Sequence, residues 1–177
     1  MNIYTDGACS GNQNDDNIGG WGCVLEFGSA QKELCGGEVN TTNNRMELTA
    51  LIEGLAALKE KDLCINVFSD SSYLINCFKE RWYAGWIKNG WKNSKKQPVE
   101  NRELWERLLE LMEGQKLNFF LVKGHLDPEG PESKLKEPYK KFKAHNGEFS
   151  YEDFLYIVKM NNRCDALANV FINEHRK

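Results

Sequence analysis

No C-x-x-C pair occurs among the six cysteines (Cys9, Cys23, Cys35, Cys64, Cys77, Cys164), so nothing marks a zinc site or a redox dithiol. Most of these read as buried thiols in a reducing cytoplasm. No apolar run approaches the roughly 18 residues that a membrane span needs. The opening Met1-Asn2-Ile3-Tyr4-Thr5-Asp6-Gly7 lacks the basic and apolar regions of a secretory signal, so a cytoplasmic protein without a membrane partner is expected. Positive charge is not in excess: 23 Lys and Arg stand against 26 Asp and Glu, for a formal charge of −3. That excludes a uniformly basic, nucleic-acid-coating surface, and any polyanion must meet local patches. With only 4 Pro and 15 Gly, the chain is neither collagen-like nor of low complexity. What remains is 177 residues, 41% hydrophobic and 28% charged, which suits one globular domain over 1–177.

A short strand over Asn2–Ala8 is expected to run into a Gly/Asn/Asp-rich loop, followed by a hairpin of Trp21–Phe27 and Lys32–Val39. From Asn44 onward, Leu48, Leu51, Ile52, Leu55 and Leu58 fall at helical spacing, with Thr42, Asn43 or Asn44 available as N-cap. Leu63–Ser69 reads as a strand, and Asp70, Ser71 or Ser72 can cap the helix after it. A helix over Asn101–Met112, a strand over Leu117–Val122 and a closing helix over about Asn161–Ile172 follow. Between Gly124 and Asn161 the rhythm breaks, and a separate short helix is expected near Ser150–Lys159. Strands first, then alternating helices and strands, imply an α/β fold with a mixed sheet and helices packed on its faces.

Four carboxylates occupy suggestive places. Asp6 and Asp70 stand where strands give way to loops, at the strand ends outside which open α/β sheets build their sites. Glu47 and Asp165 each fall near a helix start, in lines with apolar neighbours. Singly, each has a structural explanation: Asp6 in a turn, Asp70 as a cap, and capping boxes Asn44-x-x-Glu47 and Asn162-x-x-Asp165. If the sheet order brings them together, four unpaired carboxylates repel one another and call for divalent cations, of which hard, oxygen-preferring Mg2+ is the natural choice. Two such ions stabilise both oxygens of a phosphoryl displacement.

Five stretches, in order, resemble ribonuclease HI: Thr5-Asp6-Gly7-Ala8-Cys9-Ser10-Gly11-Asn12, Thr42-Asn43-Asn44-Arg45-Met46-Glu47-Leu48, Ser69-Asp70-Ser71, Val122-Lys123-Gly124-His125 and Asn162-Arg163-Cys164-Asp165-Ala166-Leu167-Ala168. The resemblance implies a ribonuclease H-like fold, a five-stranded mixed sheet of order 3-2-1-4-5 with helices on both faces. It implies an endonuclease that hydrolyses the RNA strand of RNA/DNA hybrids with two Mg2+ ions, Mn2+ substituting, and leaves 5′-phosphate and 3′-hydroxyl ends. Removal of primer and R-loop RNA is the role it suggests. Carried over by position, Asp6 bridges both ions, Asp165 serves the attacking water, and Glu47 and Asp70 face the leaving oxygen. His125 shuttles protons or assists product release. Asn12, Asn43 and Asn44, with the backbone near Cys9 and Gly11, line the minor groove, and Thr42 and Ser72 join the substrate contacts. A basic protrusion over 79–96, of local charge +5, carries Trp82, Trp86, Lys88, Trp91 and Lys92 to the DNA strand. Within it, Trp82, with Trp105 outside it, reads as core sooner than Trp86 or Trp91.

The sequence departs from the compact family pattern between His125 and Asp165, where 39 residues intervene. This insertion, about 126–160, sets Lys134, Lys136, Lys140, Lys141 and Lys143 against Glu132 and Glu137. Ser72 stands where a glutamine is frequent. No protein partner is evident, and a monomer is expected. Exonuclease, resolvase and integrase cores share this architecture, but their acids sit in other contexts; a non-catalytic hybrid-binding module would have no need of all four carboxylates.

Overall fold

The computed structural model describes residues 1–11 and 17–176, so Asn12 lies outside the described residues. Strands β1 (Asn2–Ser10), β2 (Ile18–Phe27) and β3 (Ala30–Val39) form an antiparallel meander, and helix α1 (Asn43–Ala56) follows. Strand β4 (Cys64–Ser69) then pairs parallel to β1, and helices α2 (Ser72–Lys79), α3 (Trp82–Lys88) and α4 (Arg102–Met112) lead to β5 (Lys116–Leu121), parallel to β4. Helices α5 (Glu132–Asn146) and α6 (Tyr151–His175) complete the chain. The sheet order is β3-β2-β1-β4-β5, as the resemblance implied.

Strand alternation divides the core in two. Ile3, Cys23, Leu25, Ile65 and Val67 face α1, α2 and α4 and join Leu48, Leu51, Leu74 and Trp105. Tyr4, Val24 and Phe68 face the other way, against Phe142 of α5 and Phe154, Ile157 and Cys164 of α6. Glycines set how closely helices approach. A Cβ on Gly20 would lie 1.8 Å from the Ala168 carbonyl oxygen, and one on Gly22 would lie 2.4 Å from that of Cys164, so α6 rests on β2 backbone to backbone. No helix among the described residues is long and apolar enough to cross a membrane.

Several sequence expectations need correction. The expected short helix and closing helix are one continuous α6 of 25 residues, and Asn162 does not cap it; Ser150 does, accepting from the Asp153 N–H. Of the candidate caps for α1, Thr42 takes the role, accepting from the Arg45 N–H, so Glu47 belongs to no capping box. Ser71 caps α2, which leaves Asp70 free of that duty. Trp105 is fully buried, but Trp82 is 40% exposed, while Trp86 packs against Trp105 with ring centroids 5.4 Å apart. Cys23, Cys77 and Cys164 are buried, Cys9 half-buried, and Cys35 and Cys64 exposed. The insertion folds as α5 and the first part of α6, with Leu135 and Phe142 anchored in the second core.

Candidate active site

The parallel ladder between β1 and β4 ends at Thr5 opposite Ser69, although β1 runs on to Ser10 beside β2. Asp6 and Asp70 are the residues just past that last pair, so both carboxylates stand at the mouth of the crevice where the strands part. This is where open α/β sheets place their sites. Glu47 arrives from α1. A Cβ on Gly7 would lie 2.6 Å from the Glu47 amide nitrogen, so only glycine lets the helix lie this close to β1. Gly124 does the same for the loop after β5: its Cβ would meet an Asp70 carboxylate oxygen at 2.5 Å.

One carboxylate oxygen each from Asp6, Glu47 and Asp70 lie within 4.8 Å of one another. Asp165, on the face of α6 turned to β1, lines the same cavity of about 570 Å3, together with His125, Asn43, Asn44, Cys9 and Ser72. Asp6 and Glu47 are buried, with 4% and 6% of their surface exposed. Burial, then the neighbouring charges of Glu47 and Asp70, pushes the Asp6 carboxyl far above its usual range. Burial and the Asp70 charge push Glu47 up to about 8. The Gly7 N–H donates to Asp6 Oδ1 at 3.0 Å, but Glu47 Oε2 is fully enclosed without a hydrogen-bond partner. A buried carboxylate oxygen left unpaired costs about 1–3 kcal/mol or more. The donors are all carboxylate oxygens, which suits a hard divalent cation and not a thiolate- or imidazole-seeking metal.

The surroundings hold these groups in place. Arg45 bridges Glu38 at 2.5 Å and Glu103 at 2.6 Å, fastening the start of α1 to the end of β3 and to α4. Asn162 donates to the Leu126 carbonyl at 2.7 Å and so ties the loop of His125 to α6. His125 itself is exposed and has φ 60, the left-handed region that histidine adopts more readily than most residues.

Thr42 is committed to capping, and Gly11, at φ 117, ends the described part of the first loop. Trp82, Trp86, Lys88, Trp91 and Lys92 do not line the carboxylate cavity; they belong to α3 and the turn after it. There the Trp86 and Trp91 rings meet at a tilt with centroids 6.4 Å apart, and Arg102 lies 5.3 Å over the Trp91 ring. The cavity also includes Tyr73 and Asn169, which sequence reasoning did not name as site residues. Asn169 was legible in principle, being one turn beyond Asp165 on the same helix face; its amide donates to the Asp165 carbonyl at 2.8 Å.

A family model described as RNase H matches residues 1–133, a stretch that holds Asp6, Glu47, Asp70 and His125 and ends at the start of α5, within the insertion. The "Ribonuclease H" of Caldanaerobacter subterraneus subsp. tengcongensis is 54% identical over 177 residues, covering 100% of this chain and 94% of its own. That of Symbiobacterium thermophilum is 44% identical over 171 residues, covering 96% and 92%. Among solved structures, LC9-RNase H1, a type 1 RNase H with the type 2 active-site motif, is similar with a TM-score of 0.61 at 26% identity, covering 86% of this chain and 79% of that one. LC11-RNase H1 in complex with RNA/DNA hybrid shares the fold with a TM-score of 0.60 at 18% identity, covering 99% of each.

Proposed function

The chain belongs to the RNase H family, and on that premise we propose that it is an endonuclease that hydrolyses the RNA strand of RNA/DNA hybrids at divalent cations held by Asp6, Glu47, Asp70 and Asp165. The products are 5′-phosphate and 3′-hydroxyl ends. The observation that carries this reading is the set of three carboxylate oxygens within 4.8 Å, together with the buried Glu47 Oε2 that has no hydrogen-bond partner. No protein cation neutralises this group: among the described residues every ion pair is made by an arginine elsewhere, at Glu33, Glu38, Glu103, Glu106 or Glu110. Mg2+ is the ion that fits best, with Mn2+ as substitute. A bound pair of such ions would supply Lewis-acid stabilisation of the charge on the attacking and leaving oxygens.

The chain's own residues supply the rest. Asp6, the neighbour of Glu47, Asp70 and Asp165 alike, would help hold both ions, Asp165 would serve the one toward the attacking water, and Glu47 and Asp70 the one toward the leaving oxygen. His125, on its exposed loop at the cavity edge, moves protons to or from solvent. Asn43 and Asn44, exposed at the start of α1, and Cys9 on β1 present polar groups to a ribose, where the 2′-hydroxyl distinguishes RNA from DNA. The protrusion around α3 grips the phosphates of the DNA strand. The protein acts as a cytoplasmic monomer that removes primer and R-loop RNA.

The test is cleavage of end-labelled RNA/DNA hybrid beside double-stranded RNA, double-stranded DNA and single strands, with Mg2+ and with EDTA. Internal cuts confined to the hybrid's RNA strand, dependent on Mg2+ and lost in Asp6→Asn, are expected. Failure of the folded protein to cut hybrid in either Mg2+ or Mn2+ would overturn the reading.

A further inference from the structure

A second cavity, of about 350 Å3, adjoins the carboxylate cavity, and Asp70 and Ser72 border both. Its far wall is α5, the helix of the insertion. Lys123, Lys141 and His145 line it, all three exposed, and no carboxylate pairs with either lysine among the described residues. We propose that this groove between the end of β5 and α5 is a phosphate subsite for the nucleic-acid backbone, contiguous with the catalytic cavity, so that the insertion extends the substrate track. The proposal rests on the nuclease reading above and goes beyond it, since it gives a role to α5, nearly all of which lies beyond residue 133, where the match to the family model ends.

Three observations support it. The groove is built and not merely bordered by a loose helix. The Asn146 side chain pairs with both main-chain groups of Leu121, accepting from its N–H at 3.1 Å and donating to its carbonyl at 2.9 Å, as a further strand would. Phe142, next to Lys141, is 4% exposed in the second core, and Lys79 of α2 donates to the His145 carbonyl at 3.3 Å. Second, the catalytic cavity is lined by four acids and by no lysine or arginine, so the lysines of the adjoining groove are the nearest protein cations placed to hold a backbone phosphate beside it. Third, lysines outnumber acids on α5, with five against Glu132 and Glu137, in a chain whose overall charge is −3.

The experiment compares the full-length protein with the double variant Lys123→Ala/Lys141→Ala and a charge-matched control, Lys134→Ala/Lys136→Ala, on α5 but outside the groove. Steady-state cleavage of an RNA/DNA hybrid is read in Mg2+, and equilibrium binding is read in EDTA over a range of salt. The groove variant is expected to raise KM about tenfold, the loss of a charge-assisted hydrogen bond, with kcat unchanged. The slope of log affinity against log salt should fall by about 0.9 for each phosphate that the variant no longer neutralises. The control should shift both far less. Equal effects of the two pairs mean diffuse electrostatics and overturn the subsite, as does an unchanged KM and slope in the groove variant while wild type still cleaves. If wild type does not cleave hybrid at all, the nuclease reading fails separately, and the binding measurement still decides the groove.

Discussion

Asp6→Asn replaces an ionisable carboxyl with a permanently neutral amide in a group whose oxygens lie within 4.8 Å. At that distance and an effective dielectric of 20, each ionised pair costs about 3.5 kcal/mol. Without metal the folded protein avoids the cost by keeping Asp6 protonated, while in the unfolded chain the same carboxyl ionises from pH 3.8 upward. The unfolded state then binds fewer protons, so stability falls as pH rises, by about 1.4 kcal/mol per unit. From 3.8 to 7.5 the ceiling is about 5 kcal/mol, and entry of water and counter-ions brings the expected figure to about 2–3 kcal/mol. Glu47, raised from 4.5 to about 8, adds a loss of the same sign within that window. Asn keeps the shape and can still accept from the Gly7 N–H. In EDTA at pH 7.5, Asp6→Asn is therefore expected to melt about 5–10 °C above wild type, at about 2–4 °C per kcal/mol for a chain of this size. The gap should close toward pH 4, and Mg2+ should raise the wild-type Tm more than the variant's. Calorimetry with and without EDTA over pH 4–8 reads all three. A variant that melts at or below wild type at pH 7.5 would refute the crowding argument, and a gap that persists at pH 4 would refute the protonation argument.

Gly20→Ala drives a Cβ to 1.8 Å from the Ala168 oxygen, so α6 must lift from β2; a loss of about 3 kcal/mol or more in urea unfolding is expected, with cleavage reduced as Asp165 is displaced. Asn146→Ala leaves both Leu121 main-chain groups unpartnered, which should cost about 1–3 kcal/mol and speed amide exchange at Leu121, as hydrogen-exchange mass spectrometry would show. Asn162→Ala frees the Leu126 carbonyl and loosens the His125 loop; kcat is expected to fall severalfold with Tm shifted by less than a few degrees, and an unchanged kcat would mean that the loop needs no such anchor.

Strands β4 and β5 and helix α1 were legible from their apolar runs and spacing, and the convergence of Asp6, Glu47, Asp70 and Asp165 on one cavity was legible from the motifs around them. The errors have local causes. Asn161-Asn162 ahead of Asp165 imitates a cap, yet Phe154, Ile157, Val158, Asn161, Cys164, Ala168 and Ile172 keep one helical face buried across it. Trp82 begins α3 beside Arg81, itself at φ 55, and this reversal turns Trp82 outward while Trp86, one turn on, meets Trp105. Neither the pairing of Asn146 with Leu121 nor the second cavity has a sequence signature, since both depend on where α5 docks against β5.

The glycines beneath α6 have a consequence for how the site ages. Where a helix is spaced from a sheet by side chains, each core substitution changes that spacing, and residues carried on the helix drift with it. At Gly20 and Gly22 no side chain intervenes, and Gly22 stands opposite Asp6 in the ladder while its neighbour on α6, Cys164, immediately precedes Asp165. The separation of these two carboxylates is thus gauged by main chain against main chain. The aromatic packing around Phe68, Phe149 and Phe154 can be exchanged over generations without retuning the distance on which the chemistry depends.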